Sequence, residues 1–184
     1  MPLLTELPKP VLFIGAAHSG KSISAMDTMK KTQGADIIGT CDPADPFFTE
    51  KITNLKKFRP STWSSHDSAT NLLQQLSQCQ HSQILIDSAS QWLAHIALSS
   101  TKEHYEAIDQ EIKEHGLQLA QTIVDMSDAK NITITTAEAG YDFSPQNPVS
   151  RILRNRICEL NKELARISRS VVHVVAGIPH VIKK

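Results

Sequence analysis

Apolar residues along this chain alternate between short unbroken runs and stripes at helical spacing. The runs Val11–Ile14, Asp36–Thr40, Gln83–Asp87, Asn131–Thr136 and Val171–Ala176 are rich in β-branched and apolar residues. Each predicts a strand buried on both faces. Between them, Ile23, Met26 and Met29 share one helical face, and Leu72, Leu73 and Leu76 share another within a helix expected over 66–78, capped by Ser64 or Ser65. SASQWLAHIAL after Asp87 reads as a helix packed on the sheet, and residues 149–168 as another. Residues 103–129 carry Tyr105, Ile108, Ile112, Leu119, Ile123 and Met126 on one face, as one or two helices broken near Gly116. Pro43 and Pro46 predict an irregular loop, followed by a short helix over 49–57 and an extended RPSTW segment, with VIKK as a terminal tail. Alternating strands and helices predict a single α/β domain over 1–184, a mostly parallel sheet with helices on both faces.

The first run ends abruptly in FIGAAHSGKS, where Gly15, Ala16, Ala17, His18, Ser19 and Gly20 lead into Lys21 and Ser22. Small residues let several backbone N–H groups converge on one anion, and the G-x-x-x-x-G-K-[ST] spacing between a strand and a helix is the P-loop. The expected architecture is therefore a P-loop NTPase-like three-layer fold. Lys21 would reach the β and γ phosphates, and the Ser22 hydroxyl would suit Mg²⁺, a hard cation. Asp87 ends a strand, where an acid can hold the metal shell or cap the next helix.

Charge changes this picture little. Nineteen basic and 19 acidic residues balance formally, which gives no broad footprint for nucleic acid or an anionic membrane. The N-terminus lacks the basic and apolar regions of a signal peptide, and no run reaches the length of a membrane span. Cys41, Cys79 and Cys158 are odd in number and far apart, which suggests neither a disulfide framework nor a zinc site and fits a cytoplasmic protein, and no histidine pair has close metal-ligand spacing.

Several further motifs stand beside GAAHSGKS: KI-x6-RP-x2-W at 51–63, ILID at 84–87, TTAEAG-x4-PQNP-x2-R-x2-R-x6-N at 135–161 and VVAGIPHVIK at 174–183. Together they resemble the bifunctional adenosylcobinamide kinase and adenosylcobinamide-phosphate guanylyltransferase family of cobalamin biosynthesis, nearly end to end. The resemblance implies transfer of the γ-phosphate of ATP or GTP to the aminopropanol hydroxyl of a corrinoid, followed by transfer of GMP from GTP. It also implies a homo-oligomer, a trimer in particular. Glu138 would orient or deprotonate the alcohol, or serve only as a cap or salt-bridge partner. Arg59 would meet a nucleotide phosphate through its planar fork. Arg151 and Arg154 share a helical face and could bind phosphate, enter an interface, or pair with Glu159 or Glu163 in solvent. Trp63 reads as core or interface.

The chain departs from the family pattern where it matters for the second activity. The histidine that carries GMP in the family corresponds to Leu55, which has no nucleophilic atom. Phe47, Phe48 and Asn155 also differ from the usual residues, and His66 is a candidate substitute nucleophile or an ordinary exposed histidine. Three readings remain: a kinase without nucleotidyl transfer, a bifunctional enzyme with another nucleophile, or a non-catalytic nucleotide-binding regulator.

Overall fold

A computed structural model describes residues 4–67, 71–141 and 143–184. Seven strands form one sheet in the order β3-β2-β4-β5-β1-β6-β7. They are β1 (Val11–Gly15), β2 (Asp36–Gly39), β3 (Ser64–Asp67), β4 (Gln83–Asp87), β5 (Asn131–Ala137), β6 (Ser170–Val175) and β7 (Ile178–Lys183). All neighbours run parallel except β6 and β7, which form an antiparallel hairpin. The helices are α1 (Lys21–Asp27), α2 (Pro46–Lys56), α3 (Leu72–Gln78), α4 (Ala89–Ser99), α5 (Tyr105–Met126) and α6 (Pro148–Ile167).

Strand alternation divides the apolar side chains between two cores. Leu12, Ile38, Ile84, Ile86, Ile132 and Ile134 face α3, α4, α5 and α6, whereas Val11, Phe13, Ile37, Leu85, Val172 and Val174 pack with Met26, Met29 and Trp63. This is the three-layer P-loop arrangement expected from the sequence.

Four local expectations are corrected. Residues 64–67 form an edge strand paired with β2, and α3 starts only at Leu72, behind Asn71 as N-cap. Pairing with a formed strand outweighs the weak intrinsic preference of SSHD. Pro46 opens α2 instead of excluding it: Pro is preorganised for the first helical position, and Asp45 caps the helix by accepting from Phe47 N at 2.9 Å. The helix α5 runs unbroken through Gly116, which is buried against α6, because tertiary packing outweighs roughly 1 kcal/mol of glycine penalty. The VIKK tail belongs to β7, and Lys183 Nζ donates to the carbonyls of Ala165, Arg166 and Ser168 at 2.7, 3.2 and 2.6 Å, closing the C-terminus of α6.

Asn161 joins α6 to the carboxyl end of β5, accepting from Thr136 Oγ1 at 2.7 Å and donating to Ala137 O at 2.9 Å. Asn161→Ala leaves both groups without this buried partner, so we expect a loss of about 1–3 kcal/mol in urea unfolding, with the m-value unchanged.

Candidate functional site

The loop between β1 and α1 lies where parallel strands end, and the backbone there is forced into close quarters. A Cβ on Gly15 would stand 2.4 Å from Val174 O and 2.8 Å from Ser19 Oγ, so only glycine fits. His18 and Gly20 take positive φ values of 59° and 91°. The two-residue turn of the β6–β7 hairpin presses on the loop from outside. Gly177, at φ 80°, donates its N–H to Ser19 O at 2.9 Å. Ala176 also has positive φ, at 49°, as the hairpin twist requires. The terminal AGI motif thus buttresses the P-loop, a role that its composition alone does not announce.

Lys21 and Ser22 open α1, both largely buried. Lys21 Nζ donates to Ala16 O at 3.1 Å, which keeps the ammonium curled over its own loop. Burial holds its pKa below the ordinary lysine value, and Lys51 adds to that depression while Asp87 and Cys41 oppose it. Lys51, on α2, donates to Cys41 Sγ at 3.6 Å. It is a second cation beside the cradle that spacing did not single out; only its place in the KI-x6-RP pattern hinted at it.

Asp87 is buried, 6% exposed, at the end of β4. Its Oδ1 accepts from Ser22 Oγ at 2.8 Å and from Thr135 Oγ1 at 2.6 Å. Ser88, not Asp87, is the N-cap residue of α4, so the helix-capping role considered for Asp87 is not the one it plays. Ser22 and Asp87 present oxygen donors only, and the buried Ser19 Oγ finds no partner among the described residues. Such a set fits a hard divalent cation and a phosphate.

Glu138 follows β5 and extends its ladder by donating N–H to Gly15 O at 3.0 Å. Its carboxylate is held from two sides, by His173 Nε2 at 3.0 Å and by Tyr141 Oη, which donates at 3.1 Å. His173, on β6, was not foreseen. Arg59 lies beside the carboxyl ends of β2 and β3, with Nη2 3.8 Å from where a Cβ on Gly39 would stand. Its Nη1 donates to Ser65 Oγ at 2.9 Å and lies 3.5 Å from Asp67 Oδ1. Arg151 donates to Pro145 O at 3.3 Å and Arg154 to Ser144 Oγ at 3.4 Å, so both engage the loop before α6; Glu159 and Glu163 pair with Arg156 and Arg166 instead. Trp63 is buried in the second core, as expected, and Leu55 packs against that same core.

A phosphate cradle, a lysine at its rim and a hydroxyl–carboxylate pair between α1 and the end of β4 define a P-loop nucleotide-binding protein. The chain belongs to the cobinamide kinase / cobinamide phosphate guanyltransferase family, whose model matches residues 11–182. Among solved structures, it is similar to a prototypical ATPase from the type III secretion system of pathogenic bacteria, at 9% identity and a TM-score of 0.53, covering 91% of this chain and 51% of that one. It thus spans about half the length of that ATPase, and the likeness concerns the fold alone. A Pyrococcus horikoshii OT3 protein aligns over 97% of this chain and 87% of its own at 9% identity, with a TM-score of 0.47. No curated protein matches by sequence. Among the described residues, no helix is long and apolar enough to cross a membrane.

Because Lys51 lowers the Lys21 pKa, Lys51→Met is expected to move the Lys21 titration upward, read by NMR of isotopically labelled lysine side chains. The same variant should weaken ADP binding by roughly three- to tenfold in calorimetry, the scale of one partly screened charge interaction.

Proposed function

We propose that this protein is a kinase of cobalamin biosynthesis that phosphorylates the aminopropanol hydroxyl of adenosylcobinamide with ATP or GTP, and that it has lost guanylyl transfer. The observation that carries this reading is the contrast between an intact Lys21–Ser22–Asp87 group and a leucine at position 55. A protein that only bound nucleotide would have no need of the oxygen donors at Ser22 and Asp87. This favours an enzyme over a regulatory module.

In this mechanism the loop from Gly15 to Gly20 binds the phosphates through backbone N–H groups, and Lys21 leaves Ala16 O to meet the β and γ oxygens. Mg²⁺, held by Ser22 and Asp87 when bound, neutralises phosphate charge. Glu138, fixed by His173 and Tyr141, accepts the proton of the acceptor alcohol as its oxygen bonds to the γ-phosphorus and the bond to the β–γ bridging oxygen breaks. Positioning and charge neutralisation supply most of the rate.

Leu55 cannot form a phosphoramidate, and its side chain helps fill the second core. His66 is a poor substitute because it lies on the edge strand β3, with Nε2 meeting Asp36 Oδ1 at 2.8 Å, and not on α2 with Leu55. The role of Arg59 in nucleotide binding belongs, on this reading, to a phosphate outside the P-loop cradle. With labelled ATP or GTP, Mg²⁺ and adenosylcobinamide, we expect a phosphorylated product identified by mass. Lys21→Ala should abolish its formation, and Glu138→Gln should lower kcat with little change in KM. Incubation with α-labelled GTP should leave no acid-labile, base-stable label on the chain. Stoichiometric label of that kind would overturn the loss of guanylyl transfer while leaving the kinase reading intact.

A homo-oligomer, a trimer on the family resemblance, accompanies this reading. Leu117 and Val124 on α5 are 54% and 43% exposed, apolar surface suited to burial against another copy. Sedimentation at micromolar concentration should show an assembly, and a monomer would exclude it.

A further inference from the structure

At the opposite end of the sheet from the P-loop, three different elements bring metal-ligating side chains together. Asp36 begins β2, His66 lies on the edge strand β3, and Cys79 follows α3. One ligand atom from each, a carboxylate oxygen, an imidazole nitrogen and a sulfur, lies within 4.8 Å of the other two. Sequence spacing hid the cluster, because the residues are far apart in the chain and β3 itself was not foreseen.

The surroundings hold this group in place. His81 donates its backbone N–H to Asp36 Oδ2 at 2.7 Å, and its Nδ1 lies 3.2 Å from the same oxygen. Lys130 Nζ clamps the loop by donating to the carbonyls of Cys79, Gln80 and His81 at 3.3, 3.3 and 2.9 Å. Asp36 is almost wholly buried, whereas the side chains of His66 and His81 keep 27% and 33% of their surface in solvent. An ion therefore has a path in from the imidazole side.

We propose that Asp36, His66 and Cys79 form a binding site for a zinc-class transition-metal ion, with a fourth position open to solvent and His81 orienting Asp36 through its second oxygen. Thiolate, imidazole and carboxylate together favour such an ion over magnesium, which prefers oxygen alone. A tetrahedral zinc ion, with bonds of about 2.0–2.3 Å, spaces its ligand atoms roughly 3.3–3.8 Å apart. Binding thus requires the 2.8 Å hydrogen bond between His66 and Asp36 to open slightly and the sulfur to turn inward from Gln75 O, with which it now bonds at 3.4 Å. The thiol proton leaves to solvent, and His66 presents Nε2 unprotonated. Without metal, Cys79 is no nucleophile: burial and the nearby Asp36 push its thiol up to about 12. A divalent charge reverses that balance and deprotonates it. The ion would tie the edge strand to β2 and to the end of α3, far from the phosphate cradle.

The test uses the full chain stripped with chelator and then titrated with Co²⁺ or Zn²⁺. One Zn²⁺ per chain should survive dialysis, and Co²⁺ should give a thiolate-to-metal charge-transfer band with the intense visible bands of four-coordination. Cys79→Ser should abolish the charge-transfer band, whereas Cys41→Ser and Cys158→Ser should keep it. His66→Gln should weaken binding by roughly tenfold or more, and circular dichroism checks that each variant is folded. Absence of the charge-transfer band in the unmodified protein overturns the site without recourse to any variant, and persistence of the band in folded Cys79→Ser overturns it as well.

Discussion

One carboxylate oxygen organises the reactive end of this molecule. Asp87 Oδ1, sealed from water, takes hydroxyl hydrogens from Ser22 and Thr135. A buried charge without such donors would be costly, so the P-loop helix and the neighbouring strand are drawn to the end of β4 by the need to satisfy it. The sheet order serves this constraint: β5 lies between β1 and β4, which puts Thr135 between the loop and the acid.

A second network secures the other side of the loop. Glu138 bonds through its backbone to Gly15 and through its carboxylate to His173 on β6, so the end of β5 is tied across β1 to the strand beyond. Asn161 holds the same strand end from the helical layer. The acid proposed to receive the alcohol proton is thus set on a rigid frame, which favours a fixed geometry over an adaptable one.

Much of the frame was legible in the sequence because its strands are apolar on both faces and its helices carry clear stripes. GAAHSGKS and the acid closing ILID were legible for the same reason, since both are fixed by short-range spacing. What escaped notice depends on partners distant in the chain. SSHD has no apolar alternation and becomes a strand by pairing with β2, with Asp67 held by Arg59 and Lys56. Gly116 looked like a break because local propensity carries no information about the helix that packs over it. Lys51 and His173 gained meaning only when their elements met the cradle, and the contacts of Arg59 with Ser65 and Asp67 depend on an edge strand that was not foreseen.

The hairpin turn at Ala176 and Gly177 makes the phosphate loop depend on chain that is synthesised well after it. A nascent polypeptide that has emerged only as far as α1 carries the complete motif yet lacks the hydrogen bond from Gly177 to Ser19 and the carbonyl of Val174 that walls in Gly15. Nucleotide capture therefore belongs to the finished sheet, and a ribosome-bound fragment would display the signature of the site without its grip.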